Sequence, residues 1–309
     1  MLAYYKYDNS VLSPTPTIDD AVVIRAVSPT PAEIELMHRV SDAPPEFLSA
    51  AVDRDERPRV ERENGHKLVV IRVPVHNNDS DTPYSTIALA MIMSPSHVIT
   101  VCSEPSQVWG EMIATHPKLP SPHNHFMFAA SFFLLVARQY LHLLSQIREQ
   151  STGLEDSIHV AMKNETLLKM LELEKCLVFF TTSLRANEPI WDRFRRLFDR
   201  SLSEDEQDLL DDVKIEFNQA KELADIYNNI QNGMMEAFAS IISNNQSAVM
   251  KSLTLTTIML MLPTLVASIY GMNVELPFQH SSYAFFYTSI IAVGLVSIVV
   301  AIFLKKRWL

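Results

Sequence analysis

Two long stretches without a charged side chain close this sequence, and they limit its fold more than any other feature. From Ser252 to Val274, and again from Leu276 to Leu304, there is no Asp, Glu, Lys or Arg. A helix rises 1.5 Å per residue, so about 20 consecutive apolar residues cross a hydrocarbon layer about 30 Å thick. Both stretches are long enough. They predict one transmembrane helix over 251–273, a short loop over 274–283, and a second span over 284–309 that includes a basic tail.

Charge orients the pair. Lys251 flanks the first span on its N-terminal side, and Lys305, Lys306 and Arg307 flank the second on its C-terminal side. The loop between them carries no Lys or Arg, so the positive-inside rule places both termini in the cytoplasm and the loop outside. Met1 to Asp8 has neither a basic leader nor an apolar core, so the N-terminal bulk is expected to stay in the cytosol. The 309 residues carry a net charge of −10. From Ser252 onward Glu275 stands against Lys305, Lys306 and Arg307, a net +2, which leaves −12 on everything before. Such a surface disfavours nucleic acid and concentrates cations. Cys102 and Cys176 sit in unrelated contexts and define neither a disulfide framework nor a zinc finger, as suits a reducing compartment. There is no phosphate-binding Gly loop, no His-Glu-x-x-His and no Cys-x-x-Cys, so nothing points to an enzyme.

Residues 1–124 read as an α/β cytosolic domain. Strands are expected over Ala21–Val27, Lys67–Val75, Thr86–Met93 and His97–Val101, with helices over Ala32–Val40 and after Asp42. Residues 125–202 read as an antiparallel helical pair, Phe126–Gln150 and Leu154–Ala186, ended by Asn187-Glu188-Pro189. At Ser203-Glu204-Asp205-Glu206 a capping box opens a long helix. Its cytosolic part, 203–250, repeats apolar residues at Leu209, Val213, Ala220, Leu223, Tyr227, Ile230, Met234 and Ile241, a spacing that needs a partner helix throughout. Unbroken into the first span, about 70 residues make a stalk on the order of 100 Å long. A break near Gly233 into two helices is the alternative.

Steps of three and four along the first span pick out Ser247, Met250, Thr254, Thr257, Met261, Thr264, Ser268 and Gly271, all small, hydroxylated or Met, while Leu, Ile and Val fill the other faces. A hydroxyl stripe has no use in lipid. It meets either a packed helix, where Ser, Thr and Gly are enriched, or water. Leu253 and Met261 would form apolar constrictions of the kind that gate by dewetting. Pro263 removes the helical donor from the Met259 carbonyl and suggests a kink. The span ends in Tyr270-Gly271-Met272-Asn273, where Gly and Asn suit a left-handed helix cap.

Tyr270-Gly271-Met272-Asn273 at the end of the first of two C-terminal spans, with Lys305-Lys306-Arg307-Trp308-Leu309 as the tail and Glu56-Arg57-Pro58-Arg59-Val60-Glu61 in the N-terminal part, resembles the CorA family of divalent cation channels. The resemblance implies a funnel-shaped homopentamer in the inner membrane whose first span lines the pore. It also implies a selectivity filter of Gly271, Met272 and Asn273, with Mg²⁺ as the ion and Co²⁺ or Ni²⁺ as others. Mg²⁺ sheds its waters reluctantly, and a ring of neutral Asn carbonyls can bond its water shell and still release it. Where family members often have Met-Pro-Glu-Leu, this loop reads Val274-Glu275-Leu276-Pro277 and keeps a single Glu275 to attract cations. That departure keeps a proton-coupled Zn²⁺ transporter of the ZntB type as an alternative. A membrane-anchored coiled-coil scaffold that conducts nothing is a further one.

An acidic run, Glu204, Asp205, Glu206, Asp208, Asp211, Asp212 and Glu216, crowds the start of the long helix. A helix N-terminus favours negative charge, which accounts for the first three better than for Asp211 and Asp212. By resemblance, Asp212 takes the place of a residue that shares a regulatory Mg²⁺ with carboxylates of the next subunit. Ser49 and Ala50 stand where those carboxylates are expected, with Asp53 and Asp55 nearby but shifted. His123 and His125 lack further nearby ligands for a zinc site, and an ordinary polar helix start explains them better.

Overall fold

The computed structural model describes residues 1–77, 82–115, 120–160, 164–198, 200–274, 276–277 and 281–305. The chain divides into two compact units, Met1–Gly233 and Met234–Leu309. In the first, seven strands, β1 (Leu2–Asp8), β2 (Val11–Thr15), β3 (Val23–Val27), β4 (Arg59–Glu63), β5 (His66–His76), β6 (Tyr84–Met93) and β7 (Val98–Cys102), form a sheet of order β2-β1-β3-β7-β6-β5-β4. Neighbours are antiparallel except β3 and β7, which run parallel with Val23 opposite Val98.

Side chains alternate between two cores. Leu68 and Val70 of β5 join Ala88, Ala90 and Ile92 of β6 beneath Met37 of α1 (Pro31–Ser41) and Phe47 and Leu48 of α2 (Pro45–Ser49). Val69, Ile71 and Val73 point the other way with Ile87, Leu89 and Met91. They meet α3 (Val108–Thr115), α4 (His125–Val160), α5 (Asn164–Asn187), α6 (Ile190–Leu197) and the first part of α7 (Glu204–Tyr270) through Trp109, Phe133, Phe180, Phe194 and Phe217. With both faces covered, β5 and β6 are near-continuously apolar, and every residue of β6 is buried. The helices of 125–202 thus share a core with the sheet of 1–124.

The sequence reading did not resolve β1, β2, β4, α3 and α6. β1, β2 and β4 mix apolar with polar or charged residues, and β4, Arg-Val-Glu-Arg-Glu, is an edge strand whose charges discourage further pairing. α4 also runs on through Ser151, Thr152 and Gly153, where a break was expected. There the Ser151 hydroxyl donates to Gln231 Oε1 at 2.8 Å and Thr152 to the Arg148 carbonyl at 3.0 Å, so neither competes with the helix.

The expected capping box at the start of α7 forms: the Ser203 N–H donates to Glu206 Oε2 at 3.1 Å and the Glu206 N–H to Ser203 Oγ at 3.3 Å. Arg200 grips the same carboxylate at 2.6 and 2.7 Å. This guanidinium holds the Glu206 carboxyl down at about 2, against burial, with the Ser203 N–H helping. A depressed folded-state value stabilises the protein above the ordinary carboxylate range, and the effect fades as pH falls from about 4.5 through about 2. Glu206→Gln keeps a capping side chain but not its charge, and is therefore expected to cost about 1–2 kcal/mol at pH 7, mostly the lost charge-assisted hydrogen bonds to Arg200. Thermal melts should show the gap between wild type and variant narrowing as pH falls from about 4.5 toward about 2; a gap independent of pH would contradict the assignment.

α7 is one helix of 67 residues, without a break at Gly233 and with Pro263 inside it. α4 is long and apolar enough to cross a membrane, but 67% of its apolar window is buried within the protein. The windows of α7 and α8 (Ala284–Lys305) are only 11% and 0% buried.

Candidate functional site

Helical geometry through Tyr270 places Ser247, Met250, Thr254, Thr257, Met261, Thr264 and Ser268 on one face of α7. Thr257, Met261, Thr264 and Ser268 line a shallow open groove together with Leu260 and Leu265, two residues that the stepping pattern did not select. Met250, Leu253 and Met261 are each more than half exposed. The hydroxyls of Thr254, Thr257 and Thr264 donate to the carbonyls of Met250, Leu253 and Leu260, each at 2.8 Å. A hydroxyl has one proton and two lone pairs. With the proton committed to its own helix, each oxygen offers acceptors alone to whatever lies alongside. Thr256, off the stripe, does the same with Ser252 at 3.0 Å, so the bond is general to this helix and the alignment is what distinguishes the stripe.

At its end α7 tightens. The Gly271 N–H donates to the Ala267 carbonyl at 2.9 Å and the Met272 N–H to the Ile269 carbonyl at 3.2 Å. The left-handed cap expected of Gly271 and Asn273 is not found: the described residues with positive φ are Asn9, Ser10, Ser28, Asp42, Asn64 and Gly65. A Cβ added at Gly271 would lie 3.3 Å from the Ala267 oxygen and 3.6 Å from the Ser268 oxygen, a tight fit but no conformational prohibition. Backbone conformation therefore does not dictate Gly271, and Met272 and Asn273 stand exposed beyond the helix end. The Tyr270 hydroxyl donates to the Pro277 carbonyl at 3.4 Å across the loop. Glu275, Lys306 and Arg307 lie outside the described residues.

The other carboxylates do not converge within one chain. Asp53 Oδ1 accepts from the Asp55 N–H at 2.9 Å, and Asp55 faces the Arg72 guanidinium at 3.4 Å. Asp211 accepts from Gln207 Nε2 at 3.1 Å, and Asp212 is exposed. Among the described residues, no three His, Cys, Asp or Glu side chains are placed to share a metal ion. Asn124 caps α4 by accepting from the Met127 N–H at 3.3 Å, and burial, followed by nearby Lys67 and His123, pushes the His125 imidazole down to about 4. The His123-Asn124-His125 segment is a helix start.

Residues 20–306 match the family model described as CorA-like Mg²⁺ transporter protein. A cobalt/magnesium transport protein CorA from Methanocaldococcus jannaschii is 24% identical over 270 residues, covering 85% of this chain and 83% of that protein. The complete structure of the CorA magnesium transporter from the same organism superposes with a TM-score of 0.82 at 21% identity, over 100% of this chain and 99% of that one. The ZntB cytoplasmic domain from Vibrio parahaemolyticus reaches 0.60 at 12% identity, over 79% of this chain and 97% of that domain. That lower likeness is one of fold and does not favour the ZntB alternative.

Proposed function

This chain belongs to the family of CorA-like Mg²⁺ transporter proteins, and on that premise we propose that it is a passive divalent-cation channel of the inner membrane, carrying Mg²⁺ and, less selectively, Co²⁺ or Ni²⁺. α7 and α8 are the spans, with both termini cytoplasmic and the Asn273 loop outside. The observation that carries the proposal is the groove of Thr257, Met261, Thr264 and Ser268, which leads along α7 toward Gly271-Met272-Asn273. A hydrated dication presents its water protons outward, and a wall of oxygens whose own protons are spent inward can accept them. The Asn273 carboxamides and Gly271 carbonyls bond that shell where the ion enters, Glu275 raises the local cation concentration, and Leu253 and Met261 close the path by dewetting.

One pair of spans cannot enclose a pore, so copies must form a ring. Two unlike apolar stripes support a head-to-tail contact: Leu168, Leu171, Val178 and Phe179 on α5, and Ile215, Ile226 and Ile230 on α7, all at least 39% exposed. Unlike surfaces that dock in rotation close into rings; a count of five follows the family resemblance. Mg²⁺ uptake into liposomes holding the purified protein tests the function. Uptake is expected to follow the membrane potential and ignore the pH gradient, whereas Zn²⁺ entry driven by the proton gradient without Mg²⁺ uptake would overturn the assignment.

A further inference from the structure

A cleft opens in the Met1–Gly233 unit between the 54–58 loop, β5, β6 and α5. One wall is apolar, built from the exposed Val178 and Phe179. The opposite rim is charged, and most of its charges are matched inside the chain. Arg54 reaches Glu104 at 3.1 Å, Arg72 faces Asp55 at 3.4 Å, and Glu56 holds Arg59. Arg57 is different: its side chain is exposed and has no carboxylate partner among the described residues. The cleft thus offers an uncompensated guanidinium beside an exposed apolar wall.

The complementary surface is on the same chain but elsewhere. On α7, Asp208, Asp211 and Asp212 are exposed without a cationic partner among the described residues, and Ile215, one turn further on, is 62% exposed. Lys214, between them, is already paired with Asp192 at 3.0 Å. Acid and apolar knob stand in adjacent turns, as cation and apolar wall stand side by side in the cleft.

The geometry points to a contact between copies of this chain in which the Asp211–Ile215 segment of α7 docks in the neighbouring subunit's cleft, with Asp212 paired to Arg57 and Ile215 laid against Val178 and Phe179. The inference rests on the ring reading above and adds its chemistry. The cytosolic units are clasped by a carboxylate–guanidinium pair, which needs no metal ion. It fits the sequence: Ser49 and Ala50 offer no carboxylate for a metal bridge, and Asp53 and Asp55 are bonded within their own chain. A guanidinium meets a carboxylate by charge and by paired hydrogen bonds, so such a clasp weakens with salt and ignores chelators.

Thiol crosslinking of the full-length protein in membranes tests it. Cys102 and Cys176 are buried, and burial pushes both thiols up to about 11, so neither competes for a reagent. The Arg57→Cys, Asp212→Cys double variant is expected to give a ladder of covalent oligomers with a short bis-maleimide, equally with chelator present. Either single variant should give none. Light scattering of the untreated wild-type protein, run in parallel, reports whether the ring itself exists. An intact oligomer without a ladder would overturn the clasp and leave the ring; a monomer would overturn both. A ladder that appears only with added Mg²⁺ would mean that the two faces meet only in the metal-bound protein, and would overturn a metal-free clasp.

Discussion

Asn273→Ala is expected to abolish potential-driven Mg²⁺ uptake while leaving the protein folded and assembled. In the proposed filter each subunit loses a carboxamide that bonds the water shell of a dication. A hydrogen bond to a charged group contributes about 1.5–3 kcal/mol, which is about 10- to 100-fold in occupancy of the site even if only one subunit's bond counted. Asn273→Asp is the informative companion. A carboxylate binds the ion more tightly and draws off its waters, so binding should rise while flux falls, because conduction needs release as much as entry. Thr256→Val, off the stripe, is the control expected to leave uptake unchanged. Uptake in Asn273→Ala equal to wild type would remove Asn273 from the conduction path.

The largest stability effect is expected at Trp109. Its side chain is fully buried, stacked on Tyr5 with ring centres 5.9 Å apart and tilted on Phe132 at 5.5 Å, and so ties α3 to β1 and α4. Trp109→Ala should cost about 3–5 kcal/mol, the transfer energy of the indole plus the cavity it leaves. The indole N–H has no hydrogen-bond partner among the described residues, so Trp109→Phe removes an unsatisfied donor and keeps most of the ring contact. It should cost less than half as much. Denaturant unfolding of the purified protein, followed by near-ultraviolet circular dichroism, measures both. Equal losses for Ala and Phe would mean that the N–H is satisfied by an ordered water.

Much of the candidate site's local geometry was legible in the sequence because its signal is local. A hydroxyl stripe at three-and-four spacing is a property of one helix, and α7 remains helical from Glu204 to Tyr270. The capping box at Ser203 and Glu206 is likewise local and forms as read. The left-handed cap at Gly271 was misread because residue type states what a backbone tolerates, not what it adopts; here the helix tightens by a 3.2 Å bond from Met272 to Ile269. The expected break after Gln150 failed for a similar reason. Ser151 and Gly153 weaken a helix in isolation, but the Ser151 bond to Gln231 belongs to tertiary packing.

The sequence by itself determined the two charge-free apolar stretches, the stripe and the Gly271-Met272-Asn273 motif, since charge-free length and helical periodicity are written along the chain. Tertiary structure decided that α4, also long and apolar enough to cross a membrane, is a core helix. Its apolar face is consumed by β5, β6 and α5, which burial shows and composition cannot. It also decided which charges remain unspent. Asp55 and Arg57 are charged residues of one loop, yet Arg72 of β5 pairs with Asp55 and, among the described residues, no carboxylate pairs with Arg57, because ion pairs depend on which elements the fold brings together.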